Sequence, residues 1–293
     1  MRPWPETTAE LELVQIELAR QVREVEPWTF PHDRPVAVAG AFIAYRTGIS
    51  GIGARGDPAW AAAAEFEGGK RIAVAAIEGT VGAPYVAGYL ALREGRLLEQ
   101  AVRELIPPPE VLLLDATGWD HPRRAGLAVH LGAVLDLPTI GVTDRSLLAT
   151  AGEPGRLRGA RAPLMIGDDL VGCALRTRDG VRPVFVHAGW RTVPEIACEV
   201  VMAVTGRMRT PEPLREARRL AKEARSQDVA PRGSGVHHGV GETRVEGGEK
   251  PMDELVAEGQ AEVKGPECPR CGDRFPSKES LQEHMDEAHK LTG

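Results

Sequence analysis

The chain has 293 residues, 42% of them hydrophobic, and a formal net charge of -6. That length holds one large domain plus a small one, and the acidic balance excludes a nucleic-acid binder that works through its overall field. Any contact with phosphate must rest on a local basic patch. The four cysteines are Cys173, Cys198, Cys268 and Cys271. They do not suggest a secreted disulfide framework: only the last two have metal-ligand spacing, and Cys173 and Cys198 lie in apolar runs and read as buried small hydrophobes. MRPWPETTAELELVQ at the start lacks the apolar stretch of a signal peptide. No apolar run approaches the roughly 20 residues of a membrane helix. The expectation is a soluble, cytoplasmic protein.

Residues 8–25, TAELELVQIELARQVREV, carry apolar positions at helical spacing and predict an amphipathic helix. Pro35 opens VAVAGAFIAY, a β-rich run over 36–45, and GISGIGARGD reads as a long turn. A second strand is expected over 72–78, IAVAAIE. After Pro84 and Tyr85, GYLALREGRLLEQAVREL reads as a helix. Residues 111–115, VLLLD, are continuously apolar and end in an acid, as buried parallel strands do. HPRRAGLAVHLGAVLD reads as a helix and PTIGVT as a short strand. LVGCALRT (170–177) and PVFVHAG (183–189) suit a hairpin or neighbouring strands. Pro194 sits near the start of a helix, EIACEVVMAV, and a last basic helix, LREARRLAKEAR, ends near Arg225. Strands followed by alternating helices and strands predict an α/β mixed sheet flanked by helices.

The predicted domains are 1–225, a flexible linker over 226–262 rich in glycine and charge, and a small module over 263–293. The module carries Cys268-x2-Cys271-x12-His284-x4-His289, with Phe275 and Leu281 as its core. Two thiolates on a turn and two imidazoles on one helix make a tetrahedral zinc site, and so small a module folds only with the metal. It resembles the Cys2His2 zinc fingers, a ββα unit. The positions that would face bases are Ser277, Ser280 and Glu283. None of them grips a purine bidentately, so a protein partner is as fair an expectation for this module as DNA.

In the large domain, LLLDATGWDHPRRAGLAVHLGAVLDLPTIGV (112–142) ends a strand in Asp115, where carboxylates gather at the open edge of an α/β sheet. Gly118 allows a tight turn. His121, Arg123 and Arg124 stand at a loop-to-helix start suited to phosphate contact, or form an ordinary charged loop. This stretch resembles the endonuclease V family. So, in the same order, do VQIELARQV, PYVAGYLALRE, and GWR followed by TPEPLREARRLA. The resemblance covers roughly residues 10–222. It implies an RNase-H-like sheet and a magnesium-dependent nuclease that cuts DNA or RNA near deoxyinosine or inosine, in DNA repair or RNA processing. It also implies metal-site acids at Glu94 and Asp115, a strand-separating wedge beginning at Pro84 and Tyr85, and small residues at Gly88, Gly118 and Gly126 beside a flipped base.

The departures fall on the chemistry. Where the resemblance implies a metal-ligating aspartate on the first strand, this chain has Phe42; where it implies a metal-site histidine, Trp190; where it implies a lysine near the scissile phosphate, Asp144. Phenylalanine offers no oxygen to magnesium, which demands near-octahedral oxygen donors. The favoured expectation is a nucleic-acid-binding protein with impaired or lost cleavage, in which Phe42 and Trp190 pack together over the vacated site. The alternatives are an active nuclease with a rearranged metal site drawing on Glu78, Asp120 or Asp144, and a non-catalytic zinc-finger adaptor.

Overall fold

Short apolar runs pair into strands wherever helices can cover both of their faces. A computed structural model describes residues 4–48 and 51–229. Of the predicted linker over 226–262, residues 226–229 are helical, so the last helix runs past its expected end near Arg225; the rest of the linker and the zinc-module positions Cys268, Cys271, His284 and His289 lie outside the described residues. The strands are β1 (Val38–Tyr45), β2 (Pro58–Glu67), β3 (Lys70–Thr80), β4 (Val111–Leu114), β5 (Thr139–Thr143), β6 (Thr150–Ala151), β7 (Arg161–Ile166), β8 (Asp169–Leu175) and β9 (Val184–Ala188). Among the described residues they form a nine-stranded sheet in the order β3-β2-β1-β4-β5-β9-β8-β7-β6. β1, β4 and β5 run parallel, and antiparallel strands extend the sheet on both sides. The expected mixed sheet with flanking helices is therefore present.

Helices α1 (Thr8–Glu24), α2 (Leu90–Arg103) and α3 (Leu127–Leu135) form one layer. Ala39, Ala41, Ile43, Leu112 and Leu114 point into a core shared with Leu97, Leu98 and Leu131. Helices α4 (Pro194–Ala203) and α5 (Glu212–Val229) lie on the opposite face, over Val38, Val111, Leu113, Ile140 and Val186. Alternation along β1 thus sends Ala41, Ile43 and Tyr45 toward α2, and Gly40, Phe42 and Ala44 toward α5. Thr7 caps α1 in a capping box with Glu10.

The alanine run AWAAAAEFE gives no strand signal, because alanine favours helices and lacks the branched surface of a typical strand. It is β2, and Ala61, Ala62, Ala63 and Ala64 are all 0% exposed. Small side chains let helices press on both faces of this strand. The chain at HPRR is loop rather than helix: α3 begins at Leu127, after Gly126. Cys173 and Cys198 are buried as expected, but they are paired in a disulfide joining β8 to α4, a correction to their reading as separate apolar fillers. Sheet and helix bring the two apolar runs face to face.

Gly40 shows how closely α5 sits on β1. A Cβ there would meet the backbone of Pro213 and Leu214 at 2.4 Å. Gly40→Ala is expected to lift the start of α5 and to cost about 1–3 kcal/mol in urea denaturation, as overpacking does.

Candidate active site

Parallel pairing sets Ala41 beside Leu114, so Asp115, the first residue past β4, stands next to Phe42, which is still within β1 and paired with Ala62 of β2. From one face α2 brings in Glu94; from the other α5 brings in Arg218. A cavity of about 180 Å³ opens beside Glu94 and Asp115, lined also by Phe42, Tyr45 and Leu98 among others.

Each surviving acid already has a partner. Arg218 donates to Asp115 Oδ2 at 2.8 Å, and its guanidinium lies 4.8 Å from the centre of the Phe42 ring. Partial burial pushes the Asp115 carboxyl up while Arg218 pulls it down. Tyr45 donates its hydroxyl to Glu94 Oε1. Burial pushes Glu94 up to about 7; the Tyr45 hydrogen bond works against this and the Asp115 charge with it. Arg93, stacked 4.4 Å over the Tyr45 ring, donates to the carbonyls of Ala83 and Ile52. Tyr45→Phe removes the bond that favours ionised Glu94, so Glu94 should titrate at a higher pH in that variant, read by NMR of the labelled carboxyl.

A second cavity, of about 160 Å³, shares Asp115, Ala116 and Leu127 with the first and extends past Tyr85, Gly88, His121, Thr143 and Leu147. The segment from Pro84 to Gly88 forms its outer wall, with Tyr85 50% and Val86 43% exposed. Gly88 has φ +81°, which ordinary side chains avoid. Its carbonyl accepts from Gln15 Nε2 (3.2 Å) and His121 Nε2 (3.0 Å), so the turn is anchored behind its apolar tip. Asp120, fully buried, accepts from the backbone N–H of Leu147, Leu148 and Ala149. Beside it lies His187, Nδ1 3.6 Å from Asp120 and Nε2 2.8 Å from Thr143 Oγ1.

The expected site residues fall in different settings, and one expected contact, Phe42 against Trp190, is corrected. His121 is buried at the wall of the second cavity, and Arg123 and Arg124 are already paired within the chain. Arg123 donates to Gln15 at 2.6 Å and stacks 4.8 Å from the Tyr89 ring centre; Arg124 pairs with Asp169. Gly118 and Gly126 are required by backbone packing: a Cβ would meet the Ala188 carbonyl at 1.9 Å and the Thr117 carbonyl at 2.4 Å, and neither residue lines the second cavity. Trp190 does not meet Phe42. It packs with Leu18, Val22, Ala125 and Val129, and its backbone N–H bonds Thr139 at the start of β5, while Phe42 lies with Ala44, Ala62 and Ala221. Glu78 is exposed on the outer strand, Asp120 is engaged by backbone, and Asp144 pairs with Arg209. Of the three, Asp144 alone acts on Asp115, its charge pushing that carboxyl up. Tyr45 and Arg218, which define the cleft, were missed. Strand parity would have placed Tyr45 toward α2; nothing local marks Arg218 among the arginines of its helix.

Magnesium does not fit these groups. Phe42 contributes no oxygen, Asp115 is salt-bridged to a resident cation, and Glu94 is buried and bonded to the Tyr45 hydroxyl. Among the described residues no three His, Cys, Asp or Glu side chains cluster as a metal set.

Residues 17–219 match the family model described as Endonuclease V. The chain is 39% identical over 227 residues to Endonuclease V of Streptomyces avermitilis, covering 78% of this chain and 96% of that relative. The crystal structure of the Streptomyces avermitilis protein superposes with a TM-score of 0.67 at 37% identity, covering 78% of this chain and 96% of the other. A variant of Endonuclease V of Ciona intestinalis, solved with a 23mer DNA containing an inosine followed by a ribo-adenosine, shares the fold at a TM-score of 0.64 and 23% identity, covering 75% of this chain and 97% of that one. On its matched length and on its identity to these relatives, the chain belongs to the endonuclease V family.

Proposed function

We propose that this chain binds nucleic acid at the Asp115 cleft, seats an unpaired or inosine-type base against the Pro84–Gly88 wall, and does not cut the strand by metal-dependent hydrolysis. The observation that carries the reading is the Arg218 guanidinium held between Asp115 and the Phe42 ring, where a divalent cation would need oxygens. Binding is supported by family membership, by the exposed Tyr85 and Val86, and by the cavity behind them. The DNA held by the Ciona intestinalis protein points the same way. The sheet order supports the RNase-H-like reading. The Cys268, Cys271, His284 and His289 set is proposed to hold a structural zinc in a separate C-terminal module.

The test is fluorescence anisotropy and gel analysis of labelled single strands that carry inosine or adenine at one position. With excess EDTA the inosine strand should bind. With magnesium or manganese no product should form. Strand cleavage that disappears in Glu94→Ala or Asp115→Ala would overturn the reading and restore a working nuclease.

A further inference from the structure

We infer that Arg218 is a phosphate seat built in place of a metal: its guanidinium takes a phosphodiester oxygen of the bound strand directly, and Lys222 and Arg225 continue that seat along α5. The inference rests on the proposed nucleic-acid binding and adds which groups hold the backbone.

An arginine carries five N–H donors in a rigid fork that matches phosphate geometry. Arg218 uses one contact, Nη2 to Asp115 Oδ2 at 2.8 Å. The Phe42 ring 4.8 Å below fixes the plane of the fork. The side chain is still 42% exposed, so its other donors are open to solvent. Two carboxylates act on it: Asp115, which it binds, and the nearby Asp144, which has a second cation in Arg209. One and two turns further along α5 stand Lys222, exposed, and Arg225, which donates to the Tyr45 carbonyl at 3.1 Å. Positions i, i+4 and i+7 of a helix share one face, so the three cations form a stripe that starts at the cleft. The other arginines of α5 are neutralised on the helix itself, Arg215 by Glu212 and Arg219 by Glu216 and Glu223. A strand whose base enters the cleft would lay its backbone on the stripe. Phe42 then has a positive role: an aspartate there would compete for the fork, whereas a ring supports it.

The test is the salt dependence of binding to the inosine single strand, in EDTA, by the full chain. Each phosphate contact contributes about 0.7 to the slope of log affinity against log salt for single strands. Arg218→Gln should weaken binding by about tenfold and lower the slope by about 0.7. Asp115→Asn frees the fork from its carboxylate and should tighten binding. A merely structural salt bridge would instead make both variants worse and leave the slope unchanged. Lys222→Ala, on exposed surface, should also lower the slope and retains the test should Arg218→Gln fail to fold. Metal is read separately by the electron paramagnetic resonance signal of free manganese. Wild type should leave the signal intact, and Phe42→Asp/Arg218→Ser should diminish it. A wild type that binds no strand overturns both the binding reading and this seat. A wild type that binds, with slopes unmoved in Arg218→Gln and Lys222→Ala, overturns the seat alone.

Discussion

Asp120→Ala should destabilise the folded domain by about 3–5 kcal/mol, because three backbone donors of one loop lose their charged acceptor together. Asp120 has no exposed side-chain surface, and its two oxygens accept from three successive backbone N–H groups, those of Leu147, Leu148 and Ala149, at 2.7–2.9 Å. Bonds of this type to a charged acceptor are worth more than neutral ones. Alanine strands all three donors and empties the space beside His187, whose imidazole burial holds neutral by pushing it down to about 4. Urea denaturation at pH 7 measures the loss. Asp120→Asn separates charge from geometry: it keeps an acceptor for part of the set and should cost about 1–2 kcal/mol. Because the pinned loop brings Leu147 to the wall of the second cavity, the alanine variant should also lose strand binding at temperatures where it remains folded. An unchanged midpoint for Asp120→Ala would show that the loop is held by other contacts.

This network shows what a linear reading can and cannot reach. Asp120 stood among candidate metal ligands because it follows a conspicuous motif, but no spacing rule says that its oxygens are used by a loop 27–29 residues later. The strands β1, β4 and β5 were legible because both faces are buried and their sequences are continuously apolar. β2 was not, since alanine carries no strand signature and its burial depends on helices far away in sequence. The same limit applies to the site. Asp115 and Glu94 were readable from motif resemblance, and so was the oddity of Phe42. Their meaning was not: it depends on Arg218, 103 residues from Asp115. Trp190 was assigned to the same pocket as Phe42 because both depart from the family pattern. The sheet separates them, Phe42 on the face of β1 toward α5 and Trp190 beside α1 and α3. HPRR looked like an open basic patch because charge is visible in sequence and pairing is not; Arg123 and Arg124 are tied to Gln15 and Asp169.

Glu94→Gln should raise stability by only about 1 kcal/mol near pH 5 and by on the order of 3 kcal/mol at pH 8. In the folded chain Glu94 titrates at about 7 against an ordinary 4.5. A raised carboxyl pKa means that the folded state holds the proton more tightly than the unfolded state between these values. That contribution is fully present below the ordinary value and is lost as pH rises through 7. Glutamine mimics the protonated form at every pH and still accepts the Tyr45 hydroxyl, so the variant escapes the loss. Glu65 is also buried and also pushed up to about 7, but it is common to both proteins and cancels in the difference. Thermal midpoints of the pair, taken from pH 5 to pH 8 in EDTA, isolate the Glu94 contribution. The sign of the difference at high pH bears directly on the cleft. A glutamine variant less stable than wild type at pH 8 would mean that an ionised Glu94 is held by a positive side chain of the chain itself. A more stable variant means that the charge has no such partner in the metal-free cleft, where the Arg218 side chain is already paired with Asp115.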